Sequence, residues 1–252
     1  CIIIFLEIKK MIDKKILIYG GSSLISLELI QIYLRENYEL IIFCRDQNSF
    51  LNKIKRLDLN TEKFTIYEAD LTELEKNLKL VADIKSELKG IIWIAGETGN
   101  VDHEIENTNL AKKNIKINFL NPVLIINNLI LKLKKDQNPF IAVVTSVAGL
   151  RGRQKNIFYG SAKSGMISYL SGLRQKFDGK INIITVIPGY MNTEKFNIKA
   201  PKFLITSPKN VANKIAKAIK NKQEVIYINF FWRIIMFLIN LIPETIFKKL
   251  RF

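Results

Sequence analysis

Short apolar runs alternate along this chain with longer stretches of helical period. Runs at 15–19, 40–44, 64–67, 90–95, 140–145, 182–187 and 225–228 are rich in Ile, Val, Leu and Phe with little polar alternation. Such continuous runs predict strands buried on both faces, as in parallel sheets. Between them, apolar residues recur at helical spacing over 24–35, 71–78, 107–134, 159–176 and 208–221. Seven strands alternating with helices predict an α/β fold. It would be a single doubly wound sheet of about seven parallel strands, with helices on both faces and an apolar helical tail at the C-terminal end. Ligands of such sheets sit beyond the carboxyl ends of the strands.

Composition narrows the function. The chain has 252 residues, 48% hydrophobic and 25% charged, enough to bury a substantial core. Lys and Arg number 39 against 23 Asp and Glu, a net charge of +16. Most of those cations are lysines in a chain dominated by Lys, Ile and Asn, a bias that AT-rich coding produces without selection for a polyanion. No Arg and aromatic cluster accompanies them, so a nucleic-acid partner is set aside. Two cysteines, Cys1 and Cys44, exclude a disulfide scaffold, and the single His103 argues against metal sites and His-based catalysis. No apolar run reaches the ~18 residues of a conventional span. Met11 opens a natural first strand. The organisation expected is therefore a non-native or disordered leader over 1–10, the doubly wound domain over 11–228 and an apolar, basic tail over 229–252.

The strand ends carry the chemistry. The first run leads through Tyr19-Gly20-Gly21-Ser22-Ser23-Leu24-Ile25-Ser26 into a helix. Such a turn lets backbone N–H groups and a helix N-terminus face a pyrophosphate, here from Gly20, Ser22, Ser23 and Ile25. Leu24 and Ser26 stand where the usual Rossmann fingerprint has glycines. The second run ends Cys44-Arg45-Asp46. An arginine here suits a 2′-phosphate and a carboxylate a free 2′-OH. Arg45 therefore favours NADP(H) over NAD(H), with Asp46 still in reach of a ribose. The third ends Ala69-Asp70-Leu71, where Asp70 taken alone reads as a helix cap. The fourth ends Trp93-Ile94-Ala95-Gly96, whose glycine lets backbone pass close to a cofactor. Tyr159 and Lys163, at i and i+4, project from one helix face. An ammonium near a phenol lowers its pKa, making Tyr159 a plausible acid for a ketone receiving hydride. Thirteen residues upstream lies Ser146 in Thr145-Ser146-Val147-Ala148-Gly149, and the sixth run ends Pro188-Gly189-Tyr190-Met191-Asn192-Thr193.

Taken together, these motifs resemble the short-chain dehydrogenase/reductase family over roughly 14–228. The resemblance implies a Rossmann-type fold and an NAD(P)-dependent oxidoreductase acting on CH–OH or C=O. Tyr159 would be the general acid/base. Lys163 would lower its pKa and bind the nicotinamide ribose, and Ser146 would hold the substrate carbonyl. Asn118 would kink its helix and anchor a water relay, Thr193 would bind the nicotinamide amide and Asp70 would contact the adenine. Leu71, Ala95, Gly96, Pro188 and Gly189 complete the cofactor contacts, beside Tyr159 and Lys163. Trp93-Ile94 replaces the family's Asn-Asn, which removes a structural amide but not the chemistry.

The tail narrows the expectation. Residues 230–242 are apolar almost all round, and Lys248, Lys249 and Arg251 follow. A thirteen-residue helix spans about 20 Å, short of the ~30 Å hydrocarbon core. It could lie in a membrane interface with Trp232 at the boundary, or form a core or subunit contact in a homo-oligomer. The tail and the 151–163 segment resemble the reductase subunits of decaprenyl-phosphoryl-ribose 2-epimerases, a branch of the family. This implies reduction of a polyprenyl-phosphate-linked 2-keto-pentose supplied by a partner flavin oxidase, with peripheral association on the cytoplasmic side of a membrane. Arg151, Arg153 and Lys155 near the pocket mouth, and Lys195, Lys199 and Lys202 after Pro188, would suit the phosphodiester or are solvated loop charges. Met191, Phe196 and Phe203 would supply apolar walls. The alternatives are a ketoreductase for another lipid or small carbonyl, and a non-catalytic cofactor-binding subunit.

Overall fold

The computed structural model describes residues 14–134, 137–192 and 200–250. The expected leader therefore lies outside the described residues. Strands β1 (Lys15–Tyr19), β2 (Glu39–Cys44), β3 (Phe64–Glu68), β4 (Gly90–Trp93), β5 (Phe140–Val144) and β6 (Asn182–Ile187) form one sheet with a later strand, Val225–Tyr227. All its strand pairs are parallel, because each crossover returns the chain to the same end of the sheet. Two residues each at Tyr190–Met191 (β7) and Ile205–Thr206 (β8) make a small separate ribbon, and Val225–Tyr227 is β9. The sheet order is β3-β2-β1-β4-β5-β6-β9. It reverses direction between β1 and β4, the place where such sheets open a ligand crevice.

Helices α1 (Leu24–Arg35), α2 (Gln47–Arg56), α3 (Leu74–Asp83), α4 (Val101–Glu106), α5 (Thr108–Ile115), α6 (Asn121–Ile130), α7 (Ile157–Lys176) and α8 (Pro208–Lys220) connect the strands. One core, including Leu29, Ile30, Val211 and Ile215, lies between α1, α8 and one sheet face. The other, including Ile125, Leu129, Met166 and Leu170, lies between α6, α7 and the opposite face. The tail forms α9 (Phe230–Leu241) and α10 (Glu244–Phe247), held by a third small cluster of Val147, Ile187, Trp232 and Met236.

Several elements depart from the sequence reading, among them α4, β7 and β8, which it does not contain. α2 is not signalled, because its ten residues are polar apart from Phe50, Leu51 and Ile54, of which Phe50 and Ile54 are buried. The helix expected over 71–78 begins at Leu74, because Asp70 closes a tight turn on Thr72 first. The single helix expected over 107–134 is three pieces: α5, a π-helical turn at Lys116–Leu120, and α6, which ends at Ile130.

Candidate active site

β1 leads directly into Gly20, whose φ of 98° is readily open only to glycine. A Cβ there would lie 2.7 Å from the Ala95 nitrogen, so the turn passes directly against the end of β4. The N–H groups of Gly20 and Gly21 both donate to the Phe43 carbonyl at 2.9 Å, tying the turn to β2. Ser26 is fully buried and its hydroxyl donates to the Gly20 carbonyl at 2.7 Å. The serine thus braces the turn where the fingerprint has a small glycine, and Leu24 is exposed to solvent. Ser23 caps α1 by accepting from the Ile25 N–H at 3.3 Å, and the Ser22 carbonyl accepts from Lys53 Nζ at 2.9 Å. Both departures from the fingerprint leave the glycine turn and a capped helix N-terminus in place. The N–H groups of Gly20, Ser23 and Ile25 bond to Phe43, Gly20 and Ser23, a correction to their reading as direct pyrophosphate donors; what the turn offers a pyrophosphate is its close backbone and the positive end of α1.

At the end of β2, Arg45 is exposed and pairs with Glu97 at 3.9 Å. Asp46 accepts from the Ser49 N–H at 2.7 Å and caps α2. Asp70 accepts from both the N–H and the hydroxyl of Thr72, at 2.7 and 2.8 Å. The Thr72 N–H above all, helped by its hydroxyl, Arg45 and Lys113, holds the Asp70 carboxyl below its usual range despite partial burial. The Leu71 carbonyl accepts from Asn121 Nδ2 at 2.6 Å. Sequence reasoning missed Asn77, which is fully buried. It donates to the Asp70 and Glu73 carbonyls at 2.6 and 2.7 Å and accepts from the Tyr19 hydroxyl. Tyr19 stacks on Phe43 and Trp93, with ring centroids 5.1 and 4.1 Å away. Trp93 Nε1 in turn donates to the Ala95 carbonyl at 3.1 Å, so the indole orients the Ala95-Gly96 step from the position of the replaced amide.

Asn118 sits in the π-helical turn, a widening of the ladder that is frequent at functional sites. Its Oδ1 accepts from the Glu97 N–H at 3.1 Å and its Nδ2 donates to the Glu97 carbonyl at 2.7 Å. It also donates to Asn114 Oδ1 at 2.9 Å, while Asn114 Nδ2 donates to Glu104 Oε1 at 2.6 Å. Glu104 and Asn114 were not singled out from sequence; a lone carboxylate and a lone amide ten residues apart carry no signal until α4 folds back on α5. A Cβ on Gly96 would lie 2.9 Å from Asn118 Oδ1 and 3.1 Å from Lys163 Nζ, which places both groups against the same backbone step.

Ser146 follows β5, and its Oγ accepts from the Ala148 N–H at 3.1 Å. The short 3-10 turn Val147–Gly149 packs backbone to backbone on α7; a Cβ on Gly149 would sit 2.7 Å from the Lys163 carbonyl carbon. That close approach brings Ser146 into hydrogen bonding with Tyr159. Lys163 is 4% exposed, donates to the Val144 carbonyl at 3.2 Å and lies 5.6 Å from the Tyr159 ring centre. Burial pushes the Tyr159 phenol up, and the Ser146 hydrogen bond, rather than the expected ammonium, opposes the rise. Burial pulls the Lys163 ammonium down to about 8. At neutral pH the phenol carries its proton, the state an acid needs.

The Pro188 carbonyl accepts from the Val147 N–H at 3.0 Å, and Gly189 packs directly under the Trp232 indole. Thr193, Lys195, Phe196 and Lys199 lie outside the described residues. Arg151, expected to meet substrate, is turned to the tail. It pairs with Glu244 at 2.7 Å, donates to the Ile242 carbonyl at 3.2 Å and lies over the Phe247 ring at 4.3 Å. Arg153, six residues before Tyr159, keeps a buried Nε with no protein partner. Among the described residues no group of His, Cys, Asp and Glu could hold a metal ion.

Comparison with known proteins agrees with this geometry. A family model described as short chain dehydrogenase matches residues 14–202. An uncharacterised oxidoreductase of Mycobacterium tuberculosis is 24% identical over 245 residues, covering 93% of this chain and 96% of its own. The ketoacyl reductase HetN of Nostoc is 38% identical over 95 residues, covering 35% of this chain and 33% of its own. Among solved structures, a short chain dehydrogenase of Burkholderia cenocepacia in complex with NADP superposes with a TM-score of 0.77. It is 15% identical, with 95% of this chain and 98% of that one covered. A glycine turn against β4, a π-turn asparagine and a buried lysine beneath a serine-bonded tyrosine thus stand where that family model matches, and the chain belongs to the short-chain dehydrogenase/reductase family of NAD(P)-dependent oxidoreductases.

Proposed function

We propose that this protein is an NADPH-dependent ketoreductase whose substrate is a polyprenyl-phosphate-linked 2-keto-pentose, the second half of a ribose-to-arabinose epimerisation begun by a flavin oxidase. One arrangement carries the reductase reading: Tyr159, protonated and hydrogen-bonded to Ser146, above the buried Lys163. Ser146 holds the substrate carbonyl oxygen, and Tyr159 delivers its phenolic proton to that oxygen as the carbonyl becomes an alcohol. Lys163, fixed on the Val144 carbonyl, stabilises the phenolate left behind. The glycine turn at Gly20–Ser23 and the N-terminus of α1 would hold the pyrophosphate of NADPH, which supplies hydride when bound, and the exposed Arg45 would be available to its 2′-phosphate.

The substrate reading is supported by the resemblance of the tail and the 151–163 segment to the epimerase reductases. Two features of the mouth support it as well: the unpartnered Arg153 Nε suits a phosphodiester, and exposed Phe203 suits a prenyl chain. The HetN relative favours a second reading, a ketoacyl substrate. The test follows oxidation of NADPH and NADH by the full chain in mild detergent, with a polyprenyl-phospho-2-keto-pentose or a 3-ketoacyl thioester, for wild type and Tyr159→Phe. Oxidation with the lipid sugar that Tyr159→Phe abolishes is expected. Oxidation with the thioester alone would replace the substrate, and none with either while cofactor still binds would leave a non-catalytic subunit.

A further inference from the structure

Helix α9 has two apolar faces, and the fold uses one. Trp232 and Met236 are buried, with Ile235 and Ile239 packed beside them. On the other side Phe230, Ile234, Phe237 and Leu241 recur at i, i+4, i+7 and i+11, a single helical stripe. All four are exposed, Phe237 and Leu241 to 64%. Phe231, Leu238, Ile246 and Leu250 widen the stripe into a patch, and Phe203 extends it with its ring 5.3 Å from Phe231. A contiguous bare surface of this kind marks an interaction site.

Charge identifies the occupant. Lys202, Arg233, Lys248 and Lys249 are all exposed around the patch. Among described residues 225–250 the one carboxylate is Glu244, already ion-paired with Arg151. A second copy docking on this face by two-fold symmetry would set cations against cations. An anionic bilayer surface offers apolar depth to the stripe and headgroup charge to the rim, which lysine and arginine reach by snorkelling. No helix among the described residues is long and apolar enough to cross a membrane, so α9 would lie along the interface rather than span it.

We propose that the α9–α10 face is a docking surface for anionic membrane, built to hold the active-site mouth at the headgroups. The patch is fastened to the loops on both sides of the mouth. Trp232 sits on Gly189, donates from Nε1 to the Leu204 carbonyl at 3.2 Å and meets Tyr190 edge-on at 5.2 Å. Arg151, five residues after Ser146, is clamped to Glu244, Ile242 and Phe247. A membrane under α9 is therefore a membrane beside the catalytic loops. The benefit of that placement rests on the lipid-linked substrate proposed above, though the surface itself does not.

Flotation of the full chain with vesicles of phosphatidylcholine, with and without phosphatidylglycerol, tests this directly. Wild type is expected to float with the anionic vesicles, and the doubly substituted Phe237→Glu, Leu241→Glu chain to lose on the order of tenfold or more of that partition. Both side chains are exposed, so thermal unfolding and NADPH binding of the variant should match wild type. Wild type that stays with the soluble fraction, or a variant that floats equally, overturns the proposal. So does a wild-type dimer that the two substitutions disperse without any vesicle binding. Flotation together with inactivity toward the lipid-linked sugar would keep the docking surface and remove the substrate.

Discussion

Replacing Glu104 with alanine tests how Asn118 is aimed. Glu104 is 4% exposed, and its carboxylate accepts from Asn114 at 2.6 Å. Glu104 Oε1 is the acceptor in that bond, so Asn114 turns its NH2 toward Glu104 and its carbonyl oxygen toward Asn118. Asn118 must then present its NH2 to Asn114 Oδ1 and to the Glu97 carbonyl, leaving Oδ1 for the Glu97 N–H. One acidic side chain thereby sets the direction of a buried chain of amides that ends at the Gly96-Glu97 backbone beside Lys163. Glu104→Ala leaves Asn114 Nδ2 buried without an acceptor, or lets it flip and face donor with donor. An unsatisfied buried donor costs about 1–3 kcal/mol. At about 2 kcal/mol a chain of this size loses about 4–8 °C of Tm. A misaimed Asn118 should also lower kcat on the order of tenfold, since small displacements of positioning groups are costly to rate. Glu104→Gln keeps an acceptor oxygen and should recover most of the Tm. Differential scanning fluorimetry and steady-state ketone reduction measure both. Unchanged Tm and kcat in Glu104→Ala would refute the reasoning.

Three further predictions follow from particular contacts. The Lys163 pKa is lowered by burial from 10.5 to about 8, so the folded state releases its proton before the unfolded state does and stability from this group rises with pH across that window. The Tm advantage of Lys163→Met over wild type should therefore be largest below pH 8 and shrink as pH climbs; an advantage that grows with pH contradicts the sign. Arg45→Ala should lower the preference for NADPH over NADH by roughly tenfold to a hundredfold, the worth of charge-assisted phosphate contacts, read from the ratio of kcat/KM values. Gly20→Ala should destabilise by about 2 kcal/mol or more and weaken cofactor binding, because of its φ of 98° and the Ala95 backbone 2.7 Å from the new Cβ. Gly152→Ala, where a Cβ meets nothing within 4 Å, is the control and should leave Tm in place.

The sheet was legible in the chain because parallel strands buried on both faces need unbroken apolar runs, and those runs are local. The expected strands at 15–19 and 182–187 coincide with β1 and β6, and the others differ by one or two residues at their ends. The spacing of Ser146, Tyr159 and Lys163 was legible for the same reason: strand end, turn and first helical turn are all written within eighteen residues. α2 escaped because two buried apolar residues in ten do not make a pattern, and its start depends on the Asp46 cap. The break at Asn118 was expected from the family resemblance and not from periodicity, which ran across it as one helix; its form, a π-turn, came from the fold. Arg151 was misread because its partner, Glu244, is 93 residues away, and a cation near a pocket looks the same in sequence whether it faces substrate or a tail. Trp93, Asn77 and Glu104 belong with it. Their roles come from contacts across strands or between helices, set by how the layers pack. Periodicity and strand-end chemistry thus determine the fold and the catalytic group, while the direction each polar side chain faces is settled by neighbours that only folding brings near.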